Sequence, residues 1–342
     1  MGYRDLEFPK NFLWGSAAAA HQTEGGNFNN WTEWEKIPGK IIDGSDSSIA
    51  CDHYNRYEED FDLAKELGHQ VHRFSIEWSR IEPEQDKWNE DEIDHYRSVL
   101  QALVDRDIQP MVTLHHFTEP VWFRDIGSWL NPKSPEMFAP YCRKIAESFS
   151  DFDIIWNTIN EPMVYVFGEF PPEEKDFGKG LTVAKHLLMA HGQAATQLRQ
   201  VYDEIGKAQP QIAPVISVSH FMPADPENGD DLELVEYLDE IYNHIWIRGA
   251  IEGILPEPAG DGGRYPPLDD SVDFIGLNYY SRMVVSSELD FMAGEMPPKD
   301  PELERCEGLD WEVYPEGYYQ VLRSFGDKYD KPIFLTENGI GT

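Results

Sequence analysis

The sequence predicts an α/β protein built on a parallel sheet. Short apolar runs of strand length alternate with amphipathic segments of helix length along the chain, which is typical of repeated βα units. Seven such strands can be counted, and an eighth cannot. With 342 residues the chain has room for one large core, and it exceeds the roughly 250 residues of a typical eight-stranded β/α barrel.

The predicted strands are apolar runs rich in β-branched and aromatic residues. They span residues 11–15, 70–76, 109–116, 153–160, 211–219, 272–280 and 331–337. The helices predicted between them carry apolar residues at helical spacing. They span about 54–67, 91–106, 135–150, 181–205, 231–248 and 315–329. Gly68, directly after the first of these helices, is a typical helix stop.

Two stretches rich in proline and glycine, 256–267 and 292–301, predict loops over the carboxyl ends of the strands. No repeat or linker divides the chain, so a single domain over residues 1–342 is expected. An open parallel sheet of seven strands would leave unpaired edges. We therefore expect either that the chain is a fragment or that another segment or a partner chain fills the gap.

The charge balance excludes two classes of partner. The chain has 28 basic and 63 acidic residues, a net charge of −35. Such a surface repels nucleic acids and anionic membranes, so neither is expected to bind. Two explanations for this acidic protein stay open: a solvated shell that aids solubility, or adaptation to high salt, where self-repulsion is screened.

The cysteines and the start of the chain favour a cytoplasmic protein. Cys51, Cys142 and Cys306 are far apart and lack CxxC spacing, which suits a reducing compartment. No apolar run reaches the roughly 18 residues of a membrane span, and no apolar signal segment is recognised at the start. His115 and His116 are adjacent and point to opposite faces of a strand, so no metal site is expected.

Two short motifs each place a glutamate directly after a predicted strand. Glu161 lies in Thr-Ile-Asn-Glu-Pro (158–162), and Glu337 lies in Leu-Thr-Glu-Asn-Gly (335–339). Because the carboxyl ends of parallel strands meet at one edge, the two side chains can face each other across a pocket. Such a pair is the minimum equipment for cleaving a glycosidic bond. Taken alone, either glutamate could equally cap a helix or lie on the surface.

Further motifs accompany these two in a fixed order. The whole series occupies residues 12–17, 21–25, 52–54, 73–81, 113–117, 158–162, 274–280, 311–317 and 335–339. Each motif is weak alone, but the ordered set is specific, and in it the chain resembles glycoside hydrolase family 1, the family of retaining β-glucosidases and β-galactosidases. The resemblance implies a (β/α)8 TIM barrel of the family 1 type, with strand 8 not evident, as one catalytic domain over 1–342 that is incomplete at its C-terminal end relative to the family.

The function that the resemblance implies is a retaining β-glycosidase. It would hydrolyse small β-linked glucosides or galactosides, including disaccharides, by double displacement through a glycosyl-enzyme intermediate, with no cofactor and no metal. The alternative is a catalytically impaired barrel that binds sugar, or one half of a complementing pair. A homo-oligomer or a complementing second chain is left open.

The resemblance assigns roles around the two carboxylates. Glu161 matches the family's acid/base and Glu337 its nucleophile. Arg73 matches an arginine beside the nucleophile, and Tyr280 matches a tyrosine whose hydroxyl donates to it. The alternatives are a salt bridge at the barrel floor for Arg73 and core packing for Tyr280.

The resemblance also assigns sugar-binding residues. Gln22 and His116 match residues that bind hydroxyls far from the reacting carbon, and Asn160 matches the residue that holds the 2-hydroxyl. Asn278 matches a supporting polar residue near the carboxylates. Trp311 matches a platform for the leaving-group sugar.

Three departures from the family pattern are visible. Phe117 stands where many members have tryptophan, and Asp310 stands where glycine usually precedes the platform tryptophan. Members continue with a final helix and an eighth strand that carries a Trp-Ser-x-x-Asp-Asn-x-Glu-Trp segment, which has no counterpart here. That segment supplies an aromatic floor and a carboxylate that reads the sugar's outer hydroxyls.

Overall fold

A computed structural model describes residues 7–167, 177–290 and 295–341. Its seven strands form one parallel sheet in which each strand pairs with the next along the chain. They are β1 (Gly15–Ala17), β2 (Val71–Ser75), β3 (Gln109–His115), β4 (Ile155–Asn160), β5 (Ile212–Pro223), β6 (Ile275–Val285) and β7 (Ile333–Glu337). The edge strands β1 and β7 lie close to each other, so the sheet is a nearly closed barrel. Within the described ranges strand 8 is not evident.

Helices alternate with the strands, which confirms the predicted βα pattern. The α-helices are α1 (Ala20–Thr23), α2 (Asn30–Trp34), α3 (His53–Glu66), α4 (Trp78–Ile81), α5 (Glu90–Val104), α6 (Val121–Asp125), α7 (Ser134–Phe149), α8 (Pro162–Phe167), α9 (Phe177–Glu204), α10 (Gly229–Leu238), α11 (Ile245–Glu252) and α12 (Pro315–Lys328). Two 3₁₀ helices cover Ser128–Leu130 and Pro266–Leu268, and a π-helix covers Asp239–His244.

Burial follows from the pattern of apolar residues. On α7, Phe138, Tyr141, Ile145 and Phe149 recur at spacings of three and four residues and are fully buried, as expected for one face of a helix. All six residues of β4 are buried, because a strand of a parallel barrel is covered on both faces. Each large apolar side chain removed from water contributes about 1.5–3 kcal/mol. This core fixes the strand ends that carry the polar residues.

The first strand was predicted in the wrong place. The prediction of 11–15 is replaced by Gly15–Ala17, which pairs with the start of β2. The aromatic residues of the predicted strand cluster instead: the Phe12 ring lies 4.7 Å from the rings of Phe8 and Trp14. The strand begins at Gly15, where its pairing with Val71 of β2 begins, and the local apolar pattern does not encode that partner.

Two strands are longer than predicted, and one helix is interrupted. β5 and β6 stay paired as far as Pro223 and Val285, because each supplies the other with hydrogen bonds that no local pattern encodes. The predicted helix 231–248 is divided by the π-helix. There the Asn243 side chain accepts from the Ser219 backbone N–H at 3.0 Å and donates to the Ser219 carbonyl at 2.7 Å.

One predicted loop lies at the opposite end of the barrel. The stretch 256–267 follows α11 and precedes β6, so it connects to the amino end of that strand, and its placement over the carboxyl ends was wrong. Of the second stretch, residues 292–294 lie outside the described residues. Residues 295–301 belong to the connection that follows β6, at its carboxyl end.

Candidate active site

Glu161 and Glu337 both lie at the carboxyl edge of the barrel. Glu161 is the first residue after β4, and Glu337 is the last residue of β7. Asn278 of β6 is the register partner of Glu337, and its side-chain amide donates to Glu161 Oε1 at 2.9 Å. One asparagine thus connects the environments of the two carboxyl groups.

Glu337 receives a hydrogen bond on each carboxylate oxygen. Arg73 Nη1 donates to Oε1, and the Tyr280 hydroxyl donates to Oε2 at 2.5 Å. Burial opposes ionisation of Glu337, but the Arg73 charge and the hydrogen bonds from Tyr280 and Arg73 together hold its pKa below the ordinary value. Glu337 is therefore ionised at neutral pH.

Arg73 is itself held rigidly. It is 2% exposed, and its Nε donates to Thr113 Oγ1 and Asn157 Oδ1, each at 3.1 Å. Its Nη2 donates to Asn160 Oδ1 at 2.6 Å. These partners leave the guanidinium at the carboxyl edge, in contact with Glu337, and not at the barrel floor.

Glu161 has the opposite electrostatic environment. Burial and the nearby charge of Glu337 raise the pKa of Glu161 to about 7, and the hydrogen bond from Asn278 only partly offsets them. A carboxyl group with this pKa keeps its proton at mildly acidic pH. The pKa of Glu161 is thus raised and that of Glu337 lowered. This difference allows one glutamate to act as an acid while the other is ionised.

His116 is a neutral polar group beside this pair. Burial lowers the pKa of its imidazole to about 4, although the Glu337 charge opposes the shift. The ring Nε2 lies 3.3 Å from the amide nitrogen of Asn160, while the buried Nδ1 has no hydrogen-bond partner in the described structure. A buried nitrogen without a partner is uncommon in folded proteins.

The remaining two predicted residues lie outside this hydrogen-bonded network. Gln22 is exposed on α1. Trp311 is 38% exposed, and its ring centroid lies 5.1 Å from that of Tyr280. Trp311 therefore borders the site through the tyrosine that binds Glu337.

Sequence reasoning missed three polar residues that support the site. Thr113 and Asn157 accept from Arg73, and the Thr336 hydroxyl donates to Asn278 Oδ1 at 2.6 Å, orienting its amide toward Glu161. The available signal was a polar residue within an apolar strand, because a buried polar group needs a partner.

The described residues contain no group of three or more histidine, cysteine, aspartate or glutamate side chains that could hold a metal ion. None of their helices combines the length and the apolar character needed to cross a membrane.

Comparison with known proteins agrees with this geometry. The model of the family described as Glycosyl hydrolase family 1 matches residues 4–342. Beta-glucosidase A of Acetivibrio thermocellus is 34% identical, over 98% of this chain and 79% of that protein. Beta-glucosidase A of Thermotoga maritima is 32% identical, over 97% of this chain and 78% of that protein.

Solved structures are similar over the same extent. A beta-glycosidase from Pyrococcus horikoshii superposes with a TM-score of 0.86 at 32% identity, covering 98% of this chain and 77% of that chain. A family 1 β-glucosidase from Thermotoga maritima gives a TM-score of 0.85 at 30% identity, covering 97% and 79%. The chain therefore belongs to glycosyl hydrolase family 1.

Proposed function

We propose that this family 1 glycosidase hydrolyses small β-linked glucosides by double displacement, with Glu337 as the nucleophile and Glu161 as the acid/base. The observation that carries the assignment is the opposite tuning of two carboxyl groups that share one network. Arg73 and Tyr280 hold Glu337 ionised, while burial and the charge of Glu337 raise the pKa of Glu161 to about 7, so that Glu161 keeps its proton at mildly acidic pH.

In the first step, the Glu337 carboxylate attacks the anomeric carbon while the bond to the leaving oxygen breaks. Glu161 gives its proton to that oxygen, so the leaving group departs as a neutral alcohol. The product of this step is a glycosyl ester on Glu337 and an ionised Glu161. Arg73 and Tyr280 hold the nucleophile in its ionised form until it attacks.

In the second step, Glu161 acts as a base. It takes a proton from water, whose oxygen attacks the anomeric carbon and releases Glu337 as a carboxylate. Two inversions leave the sugar with its original β-configuration, a route that needs the carboxyl groups about 5–5.5 Å apart.

Recognition of the sugar uses neutral polar groups. Asn160 accepts from Arg73, which also contacts Glu337. His116 adjoins Asn160 and is assigned to a hydroxyl far from the anomeric carbon. Asn160 is assigned to the 2-hydroxyl, a contact that strengthens in the transition state. Gln22 is assigned to a more distant hydroxyl, and Trp311 to the leaving group. Asn278 orients the Glu161 carboxyl.

Glucosides are the expected substrates, since the relatives named above are β-glucosidases, and galactosides are a second class. Residues 1–342 would act as one catalytic unit, because the sheet runs without a break from β1 to β7. A cytoplasmic location is proposed from the free thiols of Cys51, Cys142 and Cys306.

Hydrolysis of 4-nitrophenyl β-glucoside, followed by proton NMR of the first-formed sugar, tests the proposal. We expect turnover with β-glucose as the initial product. Initial α-glucose would exclude the retaining mechanism. If the folded chain binds glucosides without turnover, a sugar-binding protein is supported instead. That alternative is not favoured, because both glutamates have the hydrogen-bond partners that catalysis needs.

A further inference from the structure

A second polar cluster joins β6 to the connection that follows it. Glu312 adjoins Trp311 and is 5% exposed. Arg282 Nε donates to Glu312 Oε2 at 2.7 Å, and the backbone N–H of Asp300 donates to Oε1 at 2.7 Å. The side chains of Arg282 and Glu312 are only 11% and 6% exposed. Removing one partner of such a desolvated pair is far more disruptive than breaking a surface pair.

This ion pair is connected to the nucleophile through β6. Arg282 follows Tyr280 by two residues on that strand, across an irregularity in its pairing with β5. The Tyr280 hydroxyl donates to Glu337, and its ring packs against Trp311. Between them, the Ser281 hydroxyl donates to the carbonyl of Glu312 at 2.8 Å. Three successive residues of β6 therefore fix the position of residues 311 and 312.

The same arginine also holds the other end of the segment. Its guanidinium lies 4.6 Å from the centroid of the Tyr314 ring, and the Tyr279 hydroxyl donates to the Tyr314 carbonyl at 2.8 Å. Burial opposes ionisation of Glu312, but its hydrogen bonds to Arg282 and Asp300 outweigh this and lower its pKa. The ion pair is therefore charged on both sides at neutral pH.

We propose that the Arg282–Glu312 ion pair positions the Trp311 indole and thereby determines how strongly a ring-shaped leaving group binds. The inference rests on the proposed function, in which Trp311 faces the leaving group. Arg282 and Glu312 are positioning residues, because they act through Trp311 and not on the substrate. The leaving groups concerned are aryl rings and a second sugar ring, which can stack on an indole face.

The test compares substrates that share the glucosyl group and differ in the leaving group. The substrates are 4-nitrophenyl β-glucoside, cellobiose and β-glucosyl fluoride, whose fluoride is too small to stack. In Glu312→Gln and Arg282→Met, we expect KM for the first two to rise about fivefold to tenfold, the loss of one stacking contact. For β-glucosyl fluoride, kcat and KM of both variants should stay within about twofold of those of the unmodified chain, because fluoride makes no such contact.

A matched control is Arg199→Met, which breaks the Arg199–Asp273 pair, a 3.0 Å contact near the amino end of β6. In this control variant, the ratio of KM for each ring-bearing substrate to KM for the fluoride should stay unchanged. An equal loss on all three substrates in the Glu312 and Arg282 variants would mean a general structural role and would overturn the proposal. Unchanged KM values for 4-nitrophenyl β-glucoside and cellobiose in these variants would also overturn the proposal.

A second measurement does not need turnover. The chain labelled with 5-fluorotryptophan gives a fluorine resonance for Trp311, which is assigned by its disappearance in Trp311→Phe. This resonance should shift or broaden in Glu312→Gln and stay in place in Arg199→Met; an unmoved resonance in both would overturn the proposal. If the unmodified chain hydrolyses nothing, the proposed function fails while this result still decides the positioning role. If Arg282→Met does not fold, Arg282→Lys keeps the charge but loses the two-pronged contact.

Discussion

At the scale of single residues, the site combines a strained backbone at Glu161 with opposite pKa shifts of Glu161 and Glu337. Glu161 has a φ of 46° and Phe117 a φ of 68°, and a left-handed conformation at such residues costs on the order of 1–3 kcal/mol. The Glu161 backbone N–H donates to the Val215 carbonyl at 2.7 Å, which holds the strained residue against β5. Strain at this position brings the carboxyl group next to Asn278 at the carboxyl edge.

Replacing the proposed acid should affect substrates according to their leaving group. With Glu161→Gln, we expect large losses for cellobiose and small ones for 2,4-dinitrophenyl β-glucoside, whose leaving group needs little protonation. The unmodified chain should lose kcat/KM as pH rises through about 7, where Glu161 loses its proton. That alkaline decrease should be absent from the residual activity of the variant. Equal losses across leaving groups would exclude Glu161 as the acid.

Replacing the proposed nucleophile should be rescued by a small anion. Glu337→Gly should abolish turnover of aryl glucosides, and azide should partly restore it by attacking the anomeric carbon in place of the carboxylate. The product of that reaction is an α-glucosyl azide, which NMR identifies. Asn338→Gly, one residue later, is the matched control and should gain nothing from azide. Absence of rescue would count against the assignment of Glu337.

At the scale of elements, the loop that carries Trp311 is a compact turn stabilised by charge. The Cys306 N–H donates to the Trp311 carbonyl at 2.8 Å, and the Val313 N–H donates to the Glu304 carbonyl at 2.8 Å. Asp310, at the position where the family resemblance leads us to expect glycine, has a φ of 55°. Its carboxylate contacts Lys299 at 2.9 Å and Arg305 at 3.0 Å. The ion pairs accompany a backbone conformation that glycine adopts without strain.

Two substitutions at Asp310 separate strain from charge. Asp310→Gly removes both the strain and the ion pairs, so its melting temperature should stay close to that of the unmodified chain. Asp310→Ala keeps the strain and loses the pairs, so it should melt at a lower temperature than Asp310→Gly. Calorimetry measures the order. Alanine and glycine variants that melt together would show that the backbone at this position is not strained.

At the scale of the whole molecule, buried titratable groups oppose each other in their effect on stability. Burial raises the pKa of four glutamates to about 7: Glu24, Glu82, Glu119 and Glu161. It lowers the pKa of five histidines to between about 3 and about 4: His72, His95, His115, His116 and His191. Carboxyl groups with a raised pKa destabilise the fold as pH rises from 4.5 to about 7. Histidines with a lowered pKa destabilise it as pH falls below 6.5.

The two effects predict greatest stability at mildly acidic pH. Above pH 6.5 the contribution of the histidines fades, while the buried glutamates still oppose folding more strongly as pH rises, so the free energy of unfolding should fall toward pH 7.5. Glu119→Gln tests this away from the site, because glutamine resembles the protonated carboxyl that is 1% exposed in the fold. Relative to pH 5.5, the free energy of unfolding at pH 7.5 should be about 2 kcal/mol higher in this variant than in the unmodified chain. An unchanged difference in denaturant titrations would contradict the prediction.

The net charge of −35 predicts a response to salt. At 1 M NaCl the Debye length is about 3 Å, so repulsion between the exposed carboxylates is screened. We expect the melting temperature to rise by several degrees between dilute buffer and 1 M NaCl. Activity that also rises with molar salt would support adaptation to high salt. Full stability in dilute buffer would leave solubility as the explanation.

The sequence by itself determined the order of the strands and the positions of Glu161 and Glu337 at their ends. These properties are local: apolar runs of strand length, helical spacing and motifs that directly follow them. The tertiary structure confirmed the parallel order β1 to β7. It also placed Arg73, Asn160, Asn278 and Tyr280 in one network with both glutamates, although their proposed roles in catalysis stay predictions.

Only the tertiary structure decided features that depend on partners far apart in the chain. The Arg73–Glu337 contact joins residues 264 positions apart, and the extension of β5 and β6 exists because each strand completes the other's hydrogen bonds. The π-helix at Asp239–His244 lets Asn243 bind Ser219 on β5. Long-range hydrogen bonds and burial set these details, and no periodicity in the sequence encodes either.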